Sequence, residues 1–175
     1  MSIITNVRTI RLEQFPNSIW VEIETDENLT GLGEAWRGTA AIETIIHHDI
    51  CPWLIGQDSR NIELISRTLL TPYVGFHSAS AEIRAASAID IALWDLAGKR
   101  HGIPVYEALG GASRSSIQVY NTCSGYSFNA SSSAYNSGTS RRMITDKDEM
   151  RGPYDDQVAF TRDAGALAKS LLSEG

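Results

Sequence analysis

Apolar and polar residues alternate along the first 35 positions with the period of a half-buried strand. Ile19, Val21, Ile23 and Thr25 interleave with Trp20, Glu22 and Glu24. Residues 2 to 35 therefore read as a three-stranded antiparallel meander, with a turn at Asp26-Glu27-Asn28, where Asn28 tolerates a left-handed conformation. In the third strand Gly31 and Gly33 predict a close backbone approach by another element. The period then changes. Ile42, Ile45, Ile46 and Ile50 form a helical stripe that Cys51-Pro52 should end. A second helix carries Ile62, Ile65 and Leu69, with Asp58 or Ser59 as its cap and Pro72 as its stop. A long third helix starts at Ser78 or Ser80 and runs to about Lys99. Its alanines at 85, 86, 88, 92 and 97 occupy several faces, which predicts packing on more than one side, as for a helix wedged between two domains.

After Gly110-Gly111, Ser116–Cys123 reads as one strand. Seven serines then fall between Ser124 and Ser140 with almost no aliphatic residue among them, and a charged stretch ends at Gly152-Pro153. Residues 124–154 read as a long surface insertion. Asp155 or Asp156 should cap a last helix, with Phe160, Ala164, Leu167 and Leu171 on one face. Strand, loop and helix make one βα unit of a parallel fold, and a parallel strand needs neighbours that this stretch lacks.

The bulk properties narrow the function. A net charge of −6 and a pI near 5.2 argue against nucleic acid or an anionic membrane as partner. The start of the chain alternates like a strand and lacks the pattern of a signal peptide, and two cysteines without CxxC spacing read as free thiols, so a cytoplasmic location is expected. The triplets at Asn28 and Asn129 carry little weight without a secretory signal.

Most local site motifs fail. His47-His48 lacks HExxH spacing, and neighbouring helical residues point roughly 100° apart, so a solvated face is the better reading. Asp146, Asp148 and Glu149 lack the oxygen ligand and glycine of a calcium loop. No GxSxG elbow or P-loop occurs, and Cys123 has no convincing partner base. Asp90 and Asp95, five apart on a helix, do not converge on one substrate; capping or pairing with a neighbouring Arg or Lys fits them better, and Glu34 is also read as structural.

GLGE at Gly31–Glu34 and the stretch Ala85–Gly111, with Asp90, Ala92, Leu93, Asp95, Gly98, Lys99, Pro104, Val105 and Leu109-Gly110, carry a wider resemblance. Pro52-Trp53-Leu54-Ile55-Gly56 and Ser80–Arg84 fit it as well. Asn28, where a turn glycine is common, and Ala108, where a second leucine is usual, depart from it. The chain resembles the amino-terminal half of the mandelate racemase/muconate lactonizing branch of the enolase superfamily. The resemblance implies an α+β capping domain (three-stranded antiparallel meander plus helices) at 1–115. The start of a modified TIM (β/α) barrel would follow at 116–175, incomplete and interrupted by the insertion.

In that family the barrel strands carry a base, often a Lys-x-Lys pair, and three carboxylates that bind Mg²⁺, which stabilises the charge formed when an α-proton leaves a carboxylate substrate. Lys99, Lys147 and Lys169 do not match the barrel base, so no catalytic or metal-binding residue is expected in these 175 residues, and the chain alone is expected to be inactive. The resemblance implies a full-length Mg²⁺-dependent acid-sugar dehydratase, or else a racemase, epimerase or cycloisomerase, acting as a homo-oligomer on a sugar acid or other carboxylate. A non-catalytic capping or binding module is the further alternative. Substrate specificity would come from the loops Leu12–Asn17 and Trp36–Thr39. Phe15, Asn17, Trp36 and Arg37 are the candidates for substrate contact, with Asn121 near the end of the first barrel strand. Arg37 suits a carboxylate through its planar fork, although an arginine in a surface loop accounts for it equally.

Overall fold

The computed structural model describes residues 1–13, 15–71, 80–121 and 156–174. The chain divides into two compact units, Met1–Glu13 with Ser18–Ser115, and Gln14–Asn17 with Ser116–Gly175.

In the first unit, strands β1 (Ile4–Ile10), β2 (Ser18–Thr25) and β3 (Thr30–Trp36) form an antiparallel sheet in the order β1-β2-β3. The alternation seen in the sequence sets the faces. Ile19, Val21, Ile23 and Thr25 are buried, and the residues between them are half-exposed. Asn28 takes the left-handed turn conformation at φ 58°.

Helix α1 (Thr39–Ile45) runs into a π-helical turn, Ile46–Ile50, and then into α2 (Cys51–Leu54). The Cys51-Pro52 stop expected from the sequence is therefore not where the helix ends. Proline lacks an N–H and crowds the carbonyl four residues back. The wider π turn, closed by the Cys51 N–H on the Ile46 carbonyl, absorbs that conflict and lets Pro52 sit in the first turn of α2. The path turns extended at Ile55, followed by Gly56 at φ 90°.

Helix α3 (Ile62–Leu70) follows Asn61, not a cap at Asp58 or Ser59. Both of those side chains are committed elsewhere. The Asp58 carboxylate accepts from the backbone N–H of Ser2 and Arg60 and from the Arg60 guanidinium, and the Ser59 hydroxyl accepts from Arg100. Pro72 and Ser78 lie outside the described residues. Helix α4 (Ala81–His101) has Ser80 at its N-cap position, as expected, but the Ser80 hydroxyl bonds the Glu82 carboxylate and does not cap the backbone. Gly102 at φ 65° closes it, before the short α5 (Val105–Ala108).

The core lies between the sheet and α4. Ala85, Ala88, Ala92 and Leu96 are fully buried on the helix, and a Cβ built on Gly33 or Gly31 would stand 2.0 Å from the Ala88 carbonyl oxygen or 2.1 Å from that of Ala92. Strand and helix backbones thus meet with nothing between them. This explains both the two glycines and the alanine-rich stripe.

Asp95 and Asp90 of α4 are both engaged within the first unit, Asp95 with a lysine as expected and Asp90 with a serine hydroxyl instead of an arginine or lysine. Asp95 accepts the Leu32 N–H at 2.7 Å and pairs with Lys99 at 2.7 Å, while Lys99 donates to the Thr30 carbonyl at 2.7 Å. The two side chains, one turn apart, satisfy the outer edge of β3 as a neighbouring strand would. Asp90 accepts from the Ser66 hydroxyl of α3.

The opposite edge is closed by the segment after α2. Ile4 N–H donates to the Gln57 carbonyl at 2.9 Å, Gly56 N–H to the Ile4 carbonyl at 2.9 Å, and Ser59 N–H to the Ser2 carbonyl at 2.8 Å. Hydrogen bonds from the Arg60 side chain, from its backbone and from that of Ser2 hold the Asp58 carboxyl well below the usual carboxylate range. Glu27 is lowered by hydrogen bonds with Ser2 and Arg100. For Glu43, burial pushes the carboxyl up, but hydrogen bonds from Thr9 and Arg11 outweigh it. A carboxyl whose folded pKa is depressed adds stability above its unfolded pKa of about 4, lost as pH falls through the folded value. Urea midpoints should therefore hold steady near neutrality and fall below about pH 4. Asp58→Asn should flatten that acid limb, and an unchanged limb would remove Asp58 from this account.

In the second unit, Ser116–Asn121 is exposed and forms no strand, contrary to the reading of Ser116–Cys123. A parallel strand forms only against a neighbour, and the described residues supply none. Cys123 and the serine-rich 124–154 stretch, with Lys147, lie outside the described residues. Helix α6 (Asp156–Glu174) spans the expected range but is broken at Asp163 (φ −153°, ψ 81°), whose carboxylate accepts the Ala166 N–H at 2.9 Å and caps the second segment. Leu167 is buried and Leu171 half-buried. Ala164, however, is exposed, because the break at Asp163 interrupts the single face drawn from the sequence. Asp155 and the Phe160 side chain lie outside the described residues.

Candidate functional site

The end of β3 and the start of α1 make a sharp corner. Trp36 closes the strand, Arg37 (φ 63°) and Gly38 (φ 73°) follow in the left-handed region, and the buried Thr39 opens the helix. The Gly38 carbonyl accepts the Ile42 N–H at 3.0 Å, which ties the corner to the first turn. The Arg37 guanidinium lies over the Trp36 indole, 4.5 Å from its centroid. Trp36 is 41% exposed and Arg37 half-buried. From α4, Arg84 donates through Nη1 to the Arg37 carbonyl at 3.3 Å.

Two of the five residues chosen from the sequence, Trp36 and Arg37, are thus brought together. Phe15, Asn17 and Asn121 belong to the second unit. There, Phe15 is 51% exposed, Asn17 is buried at 8% and Asn121 is exposed in the extended stretch after Ser116. Sequence reasoning passed over Arg84 as a site residue. The available signal was an arginine in the first turn of a helix otherwise rich in alanine.

A separate polar cluster lies on α1 and β1. The Thr9 hydroxyl bonds Glu43 Oε1 and His47 Nε2, each at 2.9 Å, and Arg11 pairs with Glu43 at 2.9 Å. His47 and His48 are exposed, and burial pushes the Cys51 thiol up, so Cys51 packs as a small apolar group. Among the described residues, no group of three His, Cys, Asp or Glu side chains could hold a metal ion. The Mg²⁺ implied by the resemblance finds no ligand set in them, and no chemical step is assigned through it. Among the same residues, no helix is long and apolar enough to cross a membrane.

The meander, the long helix packed on it and the corner after β3 coincide with a known domain. Residues 6–110 match the family described as mandelate racemase / muconate lactonizing enzyme, N-terminal domain. The chain belongs to this family.

Among its relatives in the mandelate racemase / muconate lactonizing family is a D-galactonate dehydratase from Ralstonia nicotianae, 39% identical over 124 residues, which are 70% of this chain and 31% of that protein. A D-mannonate dehydratase from Rhizorhabdus wittichii is 36% identical over 126 residues, with the same coverage. Among solved structures, an enolase from Sargasso Sea environmental DNA is 57% identical with a TM-score of 0.67, covering 71% of this chain and 34% of that one. An enolase from Pantoea ananatis, solved with bound D-gluconate and Mg, is 39% identical with a TM-score of 0.57, covering 65% of this chain and 28% of that one. The chain spans about a third of the length of these relatives.

Proposed function

We propose that these residues are the capping part of an acid-sugar dehydratase of the enolase superfamily, with residues 1–115 as the capping domain and 116–175 as the first βα unit of its barrel. The reaction would remove the proton α to a sugar-acid carboxylate and then expel the β-hydroxide, and the base and the Mg²⁺ ligands that such chemistry needs would be residues of the barrel and not of this cap. The reading is supported chiefly by the match over 6–110 together with relatives that carry the names of sugar-acid dehydratases. The role of this chain within it is recognition. In the first unit Arg37 and Trp36 are the proposed substrate contacts, and in the second unit, separately, Phe15, Asn17 and Asn121 are.

A racemase, epimerase or cycloisomerase would use the same cap, and the fate of the enolate would be decided by barrel residues. Reading the coding frame beyond residue 175 separates an enzyme from a non-catalytic capping or binding module. A barrel lysine followed by three acidic strand ends supports the enzyme reading, and a continuation without them removes it. The purified 175-residue chain should show no turnover of D-galactonate, D-mannonate or D-gluconate with or without Mg²⁺. Measurable dehydration would place chemistry in residues to which this account gives none.

A further inference from the structure

We draw no further inference here: the strongest candidate, the side-chain cluster of Thr9, Glu43, His47 and the buried Cys51 where β1 meets the π-helical turn after α1, rests on one cysteine and on hydrogen bonds within the cluster, and among the described residues nothing in the structure points to a ligand for it.

Discussion

Gly33→Val is expected to destabilise the first unit severely, although valine is the better strand former. A Cβ at this position would stand 2.0 Å from the Ala88 carbonyl oxygen and 3.1 Å from the Ala92 nitrogen, both atoms of the helix backbone. No rotamer relieves contact with backbone, so α4 would have to lift from β3. Lifting it would pull Ala85, Ala88, Ala92 and Leu96 out of the core and separate the Asp95–Lys99 pair from the strand edge it satisfies. Overpacking usually costs about 1–3 kcal/mol. With rigid backbone on both sides, about 4 kcal/mol or more is expected here, against about 5–15 kcal/mol for the stability of an ordinary domain. Circular dichroism and urea titration measure it. Leu32→Val, on the exposed face of the same strand, should stay within about 0.5 kcal/mol of the natural chain. Similar losses for the two variants would mean that strand and helix do not meet as described.

The second large effect is expected at Arg100. Its side chain is only 15% exposed and joins three parts of the chain. Nη2 donates to the hydroxyls of Ser2 at 2.7 Å and Ser59 at 2.8 Å, and Nε pairs with Glu27 at 3.2 Å. Ser2 and Ser59 are fully buried. Arg100→Met keeps much of the volume but withdraws the donors from two buried hydroxyls. At about 1–3 kcal/mol for each buried group left unsatisfied, a loss near 3 kcal/mol is expected. For a unit of this size that lowers the melting temperature by roughly 10–15 °C. Arg100→Lys, a point charge without the fork, should fall between the two. A change under about 0.5 kcal/mol for the Met variant would show that the bonds contribute nothing net.

Gly33 and Arg100 also show how far the sequence reaches. The alternation at Ile19–Thr25, the turn at Asn28 and the close approach at Gly31 and Gly33 were legible because each is a local constraint with a fixed period or a fixed residue requirement. What escaped was decided by distant partners. Nothing near Arg100 announces that Ser2 and Ser59 will be its acceptors, and nothing near Asp58 shows that it will be drawn from capping α3 to holding the start of the chain. Pro52 read as a stop because the rule for proline assumes α-helical spacing, and the π turn before it changes the spacing. Ser116–Asn121 has the composition of a strand, but a strand is a relation between two segments and only one was in view. The candidate site divides in the same way. Trp36 and Arg37 lie side by side in sequence and were found together, whereas Arg84, 47 residues on, is joined to them only by the folding of α4 onto β3.

The central claim is that this chain recognises substrate and leaves the chemistry to a barrel. Its most direct test is steady-state kinetics on a chimera in which residues 1–115 of this chain replace the corresponding segment of the Ralstonia nicotianae D-galactonate dehydratase. Arg37→Ala in that chimera removes a charge-assisted contact worth about 1.5–3 kcal/mol, so KM for D-galactonate should rise about 10- to 100-fold while kcat stays nearly constant. A folded Arg37→Ala chimera with unchanged KM and a collapsed kcat would contradict the account, because it would place this corner in the chemical step.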